Sequence, residues 1–191
     1  MVPELPTLFR PRDLVSAGIS RDRLRGMLRR DEVEQVARGL YRVAEAPLSE
    51  HETLAAVCAR IPHGIVCLLS ALQFHEIGTQ LPHQVWIAVD RKARRPRVTD
   101  LPVRLLSFPT ALMQYAIETH EILGVPVRVT SPARTVVDCF RYQSIVGLDV
   151  ALEALKDGLR SKRIPVAEIV RAAELAGVME TMRPYMEALS A

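Results

Sequence analysis

Four clusters in this sequence have residue types and spacing that can do chemistry. Arg21, Arg25 and Arg29 recur every four residues, so a helix would align them on one face. With Arg10, Arg12, Arg23 and Arg30 they give residues 9–30 seven arginines against two acids, Asp13 and Asp22. Guanidinium groups concentrated in that way suit a polyanion, phosphate above all. A second basic cluster, Arg91, Lys92, Arg94, Arg95 and Arg97, lies on a Pro-containing stretch with the character of a loop. It is either a polyanion-facing surface or a solvated turn. Asp90-Arg91-Lys92 closes an apolar run, and an acid followed two residues later by lysine at a strand end can hold Mg²⁺ and steady an attacking water. That chemistry needs a second acid converging on the metal. The nearest upstream acid, Glu76, falls on a predicted helix, so the triplet reads as a polar strand end entering a basic loop. Thr135 and Asp138 lie opposite the apolar stripe of another predicted helix. They are a functional pair, or Asp138 simply pairs with Arg134 or Arg141 on the helix surface.

Other chemistry is missing from the sequence. There is no glycine-rich phosphate loop and no G-x-S-x-G, and His51-Glu52 lacks the second histidine of a zinc-protease motif. The five histidines are scattered without metal-ligand spacing, and His75 reads as a helix histidine satisfied inside the fold. No metal and no cofactor are expected. Cys58, Cys67 and Cys139 stand among apolar neighbours and read as small buried hydrophobes of a cytoplasmic protein. The net charge of +3 is modest, and no apolar run approaches the roughly 20 residues of a membrane span. The start, Met1-Val2-Pro3-Glu4, lacks the pattern of a signal peptide.

The arginines need a scaffold, and the local signals supply one. Pro11 opens a short helix that Gly18 ends, in a tight turn through Ala17-Gly18-Ile19. Ser20 is a good N-cap for a second helix, Arg21 to about Arg30, with Leu24, Met27 and Leu28 facing inward. Gly26, costly within a helix, allows a neighbouring backbone to come close. Val33–Ala37 and Leu40–Val43 then form a hairpin around Arg38-Gly39. Two helices, a glycine turn and a hairpin make a winged helix-turn-helix. Its second helix can enter a major groove, with Ser20, Arg21, Arg23, Arg25, Arg29 and Arg30 along it. Arg38 and Arg42 on the wing would grip the flanking DNA backbone.

Ala44–Pro47 reads as a linker, dividing the chain into residues 1–46 and a larger domain over 47–191. Ser49 and Glu52 form a capping box for the next helix. A helix around Leu68–Ile77 follows, then strands at Gln84–Val89 and Val103–Phe108 and a helix near Ala111–Tyr115. Two further strands, Ala116–Ile122 and Val125–Val129, turn at Gly124. Ser131-Pro132 opens a helix with Ala133, Val136, Val137 and Phe140 on one face. The last third is helical, with Leu148, Leu152, Leu155 and Leu159 in one segment, Val166–Ala176 in the next, and Val178, Met182, Tyr185 and Leu189 in the last. The fold class is α+β: a winged helix-turn-helix, then a larger mixed α+β domain with a helical tail.

The pattern Phe9, Asp13-Leu14, Gly18-Ile19-Ser20, Leu24, Leu28, Val36, Arg38-Gly39-Leu40-Tyr41 resembles the N-terminal domain of AbiEi-type antitoxins of type IV toxin–antitoxin systems. Ser70 to Gly78, Gln80-Leu81-Pro82, the strand Val85–Val89 and Ser131 to Asp138 are similar to that family's C-terminal domain. The resemblance implies a bacterial antitoxin, not an enzyme, that represses its own operon by binding double-stranded operator DNA. Its larger domain would counteract a nucleotidyltransferase-like toxin, with Arg91, Lys92, Arg94, Arg95, Arg97, Thr135 and Asp138 as partner-binding residues. The alternatives are an enzyme, nuclease-like or toxin-modifying, and a plain transcription factor with a ligand-sensing domain. Two departures stand out. Too few residues precede Phe9 for the complete first helix usual in the family, and Asp31-Glu32 replaces the family's glycine between recognition helix and wing.

Overall fold

The computed structural model describes residues 5–16, 18–46 and 49–190; Ala17 of the expected turn and Pro47, the expected start of the larger domain, lie outside them. The chain is mixed α and β and divides into two compact units. The first comprises residues 1–64, 95–103 and 119–128, and the second residues 65–94, 104–118 and 129–191.

In the first unit the elements are β1 (Leu8–Phe9), α1 (Pro11–Ser16), α2 (Arg21–Arg29), β2 (Val33–Ala37), β3 (Leu40–Val43) and α3 (Glu52–Arg60). The second helix and both hairpin strands fall where the sequence puts them. Their signals are local: Ser20 Oγ accepts the Arg23 N–H at 3.2 Å, and Gly39 takes φ +67° in the hairpin turn. Asp31 adopts φ +54°, so it occupies the left-handed conformation that a glycine would favour between helix and strand.

No local signal predicts β1. Two residues are too short for any periodic pattern, yet Leu8 and Phe9 pair with Arg42 and Tyr41, making an antiparallel sheet in the order β1-β3-β2. Phe9, Leu14, Ile19, Leu24, Met27 and Val33 form the core beneath it. α3 packs on β1 and β3 and walls this small core, which is why the spatial unit runs past residue 46 to Gly64. The tip of a later hairpin joins it as well, through the Leu8 N–H to the Leu123 carbonyl at 3.0 Å. There Gly124 takes φ +78°, and a Cβ on it would sit 2.4 Å from Pro6 Cβ.

The expected capping box at Ser49 and Glu52 does not form. The helix begins at Glu52 with His51 as its cap, and the Glu52 carboxylate instead meets Arg42 at 3.0 Å. A charged partner held in place outcompetes the Glu52 side chain's return to the backbone.

The second unit holds β4 (Ile65–Val66), α4 (Leu68–Phe74), β5 (Val85–Asp90), most of β6 (Val103–Phe108), a 3₁₀ turn at Thr110–Met113, and the helices α5 (Pro132–Arg141), α6 (Gln143–Val146), α7 (Leu148–Arg160), α8 (Val166–Ala176) and α9 (Met179–Ser190). β7 (Ile117–Ile122) and β8 (Val125–Thr130) run from one unit into the other. The sheet order is β6-β5-β4-β8-β7, with β4 antiparallel to β5 and parallel to β8.

α5 is the centre of this unit, packed by α4, α7 and α8, and every residue from Ala133 to Phe140 is buried. Of the leucines expected on α7, Leu155 is buried and Leu152 and Leu159 pack half-buried against the core. Val150, Ala151, Ala154, Leu155 and Gly158 point inward, while Leu148 stays exposed. Small residues share that face because the helix lies close against its neighbours: a Cβ on Gly158 would meet Ile164 Cδ1 at 2.8 Å and Val136 Cγ2 at 3.7 Å. Among the described residues no helix is long and apolar enough to cross a membrane.

Candidate nucleic-acid interface

α2 carries its charge outward. Leu24 and Met27 are buried in the small core, and Arg21, Arg23, Arg25 and Arg29 are exposed. Arg21, Arg25 and Arg29 share one face by their spacing. Arg25 touches Asp22 at 3.0 Å, but those side chains are 71% and 88% exposed, so water screens the pair and a phosphate can compete for it. Ser20, the N-cap, is exposed at the helix start. A groove of about 460 Å³ runs there, lined by Pro11, Arg12, Leu14, Ile19, Arg21 and Leu24 among others. Beside it Arg10 has its pKa held below the usual arginine range, first by partial burial and then by the neighbouring Arg12.

The remaining basic residues of this module are more committed. Arg30 grips Glu32 with two hydrogen bonds, at 2.6 and 3.1 Å, which raise the arginine's pKa and lower the glutamate's. Arg42, expected as a wing contact to DNA, is engaged within its own unit. Its side chain is only 13% exposed and lies between Glu34 and Glu52, both of which accept from it. Arg38 is exposed, and its backbone is fastened: its N–H donates to Asp100 Oδ2 at 2.9 Å, and its carbonyl accepts from Arg60. Gly26 also differs from expectation. What a Cβ there would meet is the guanidinium of Arg30 at 3.2 Å and that of Arg29 at 3.9 Å, not a neighbouring backbone.

Arg91, Lys92, Arg94, Arg95 and Arg97 are all exposed. Asp90, at the end of β5, accepts from the Lys92 N–H at 2.8 Å and from Thr110 Oγ1 at 3.1 Å, which shapes the start of this loop. Among the described residues no three His, Cys, Asp or Glu side chains gather as metal ligands.

Thr135 and Asp138 are corrected as partner-binding residues: they are 0% and 1% exposed. Thr135 Oγ1 donates within the fold and shares a 2.7 Å contact with Thr130 Oγ1. Asp138 Oδ2 accepts from Arg134 Nε at 3.0 Å, and the arginine is itself 2% exposed and bonded to the Tyr115 carbonyl. Burial pushes Asp138 up to about 6 against the pull of Arg134. The sequence spacing foresaw the i,i+4 pair but not its depth. His75 is satisfied as expected, Nε2 lying 2.7 Å from the Thr130 carbonyl. The three cysteines are buried and unpaired, and burial drives Cys58 up to about 12.

A helix–turn–helix-like module with an arginine-bearing second helix is the arrangement of a transcriptional regulator. Residues 6–44 match the family model of transcriptional regulators described as AbiEi antitoxin, so this segment is of the AbiEi type that its motifs resemble. No curated protein matches the sequence at a significant level. Among solved structures, the RV2827C protein from Mycobacterium tuberculosis is similar, with a TM-score of 0.56 and 18% identity. The alignment covers 88% of this chain and 67% of that one, and the likeness is one of fold.

Proposed function

We propose that the protein is an antitoxin and autoregulator. Its winged helix-turn-helix would bind operator DNA through Ser20, Arg21, Arg23, Arg25 and Arg29, with Arg38 at the wing. The observation that carries this reading is the exposure of four arginines on α2, inside the segment that matches the AbiEi regulators. Arg30 contributes after it parts from Glu32, and Arg42 serves the wing by holding Glu34 and Glu52.

Residues 47–191 would counteract a nucleotidyltransferase-like toxin. The exposed Arg91–Arg97 segment is complementary to an acidic, metal-binding cleft, which chiefly raises association rate and specificity. Replacing Arg94 and Arg95 by Glu should slow association with the cognate toxin and leave DNA affinity intact.

Titration of labelled upstream duplex against the wild type and the Arg21→Ala/Arg25→Ala variant, over a range of salt, tests the DNA assignment. The salt slope is expected to fall by about one unit for each phosphate that an arginine no longer neutralises. Equal binding and equal slopes would remove α2 from the interface.

A further inference from the structure

The second unit carries an exposed apolar site built from residues given no role above. Leu81 is 77% exposed, the most exposed of the large hydrophobic residues described. It is not on a loose loop. The Gly78 N–H donates to Asp157 Oδ2 at 3.0 Å, Thr79 Oγ1 to Glu153 Oε1 at 2.7 Å, and Gln80 Nε2 to Glu153 Oε2 at 3.4 Å. The far end is tied to α4, where Ser70 Oγ donates to the Gln84 carbonyl and accepts the Trp86 N–H. Two carboxylates of α7 and a serine of α4 therefore hold a leucine out in water, where an isolated domain gains nothing from it.

Leu81 borders a groove of about 310 Å³, whose walls include Leu69, Pro82, Trp86 and Arg104. The Arg104 guanidinium lies 4.1 Å from the centre of the Trp86 ring. Arg104 is exposed, and among the described residues no carboxylate pairs with it. An arginine lying over a tryptophan beside a presented leucine has the composition of an interface anchor: apolar floor, one fixed cation, little ordering left to be done on binding.

We infer that this groove is a protein-docking site for a segment that inserts a bulky apolar side chain beside Leu81 and places an aspartate or glutamate on Arg104. The charge of Arg104 selects the acid, and the rigid loop selects the spacing. The site stands whether or not the partner is a toxin.

The full-length protein is the bait for a displayed library of random linear peptides. Enriched peptides are then synthesised and titrated against the wild type, Leu81→Ala and Arg104→Glu. Trp86, the chain's only tryptophan, reports binding through its own emission. The expected peptides join an apolar residue to Asp or Glu and lose about tenfold or more in affinity with each variant. Their Lys-substituted forms should bind Arg104→Glu better than the wild type. No enrichment, enrichment of apolar peptides without an acid, or equal binding by the variants would overturn the assignment. So would a dimer in sedimentation velocity that Leu81→Ala dissolves, since the occupant would then be a second copy of the chain. If either variant melts below the wild type, Leu81→Ser and Arg104→Gln take its place under the same criteria.

Discussion

α2 and α5 are built from the same local grammar and end in opposite environments. Each begins at a serine whose Oγ accepts the N–H three residues on, Ser20 from Arg23 and Ser131 from Arg134. Each carries an arginine and an aspartate at helical spacing, Arg25 with Asp22 and Arg134 with Asp138. The first pair is in water; the second is 2% and 1% exposed. In α2 a charge costs little to keep and is free to trade partners, which suits a surface for a polyanion. In α5 the same charges are stripped of water, and among the described residues Arg134 Nη2 and Asp138 Oδ1 have no hydrogen-bond partner, so the pair serves packing and orientation. Motif and spacing name a pair; the environment decides what the pair is for.

The comparison breaks most readily at Asp138. Asp138→Ala leaves the Arg134 charge buried and unpaired and should destabilise by about 3–5 kcal/mol, whereas Asp22→Ala on α2 should change stability by less than about 1 kcal/mol. Urea unfolding of both variants measures the difference, and similar losses would dissolve the contrast.

pH sharpens it. Asp138 titrates near 6 in the fold, above the usual unfolded value of about 3.9. The folded state therefore holds this proton more tightly than the unfolded chain. Its contribution to stability is fully present below about pH 4 and is lost as pH rises through 6, a change on the order of 2–3 kcal/mol. Thermal unfolding of Asp138→Asn between pH 4 and 7 should lack that component, which the wild type retains.

The caps should behave alike where the charges do not. Ser20→Ala and Ser131→Ala are each expected to cost about 1 kcal/mol, because each removes one acceptor from a helix start. A much larger loss at Ser131 alone would mean that its half-buried surroundings, and not its cap, carry the effect. The smallest change is a gain. Gly26→Ala meets only the side-chain ends of Arg29 and Arg30, of which Arg30 must shift by a few tenths of an ångström while keeping Glu32, and should stabilise by up to about 1 kcal/mol, read as a higher melting temperature with α2 intact.

Most elements could be read from the chain because their causes are local. α2, its serine cap, the Val33–Ala37 and Leu40–Val43 hairpin and the Ser131-Pro132 start of α5 all coincide with residues whose conformational preferences act within a turn or two. β1 and β4 were illegible, since two residues carry no period and exist as strands only because a partner strand is there. The wing shows how little is needed to redirect a side chain. A two-residue turn closing Ala37 on Leu40 would carry regular pairing on to Gln35 opposite Arg42. The irregularity between Gln35 and Ala37 slides Glu34 there instead, and with Glu52 it takes the arginine out of the candidate interface.

By itself, then, the sequence determined the helix and strand types, the serine caps, the arginine spacing on α2 and the resemblance of the N-terminal segment to AbiEi regulators. Those follow from backbone preference and from the order of residues along one element. Only the tertiary structure decided that α3 belongs with the first unit, that α7 turns its alanines inward, that Asp138 and Thr135 are buried, and that Leu81 and Arg104 share one exposed groove. Each of these depends on which distant residue arrives to exclude water or offer a charge. Burial and pairing belong to two elements at once, and no spacing within one of them can specify them.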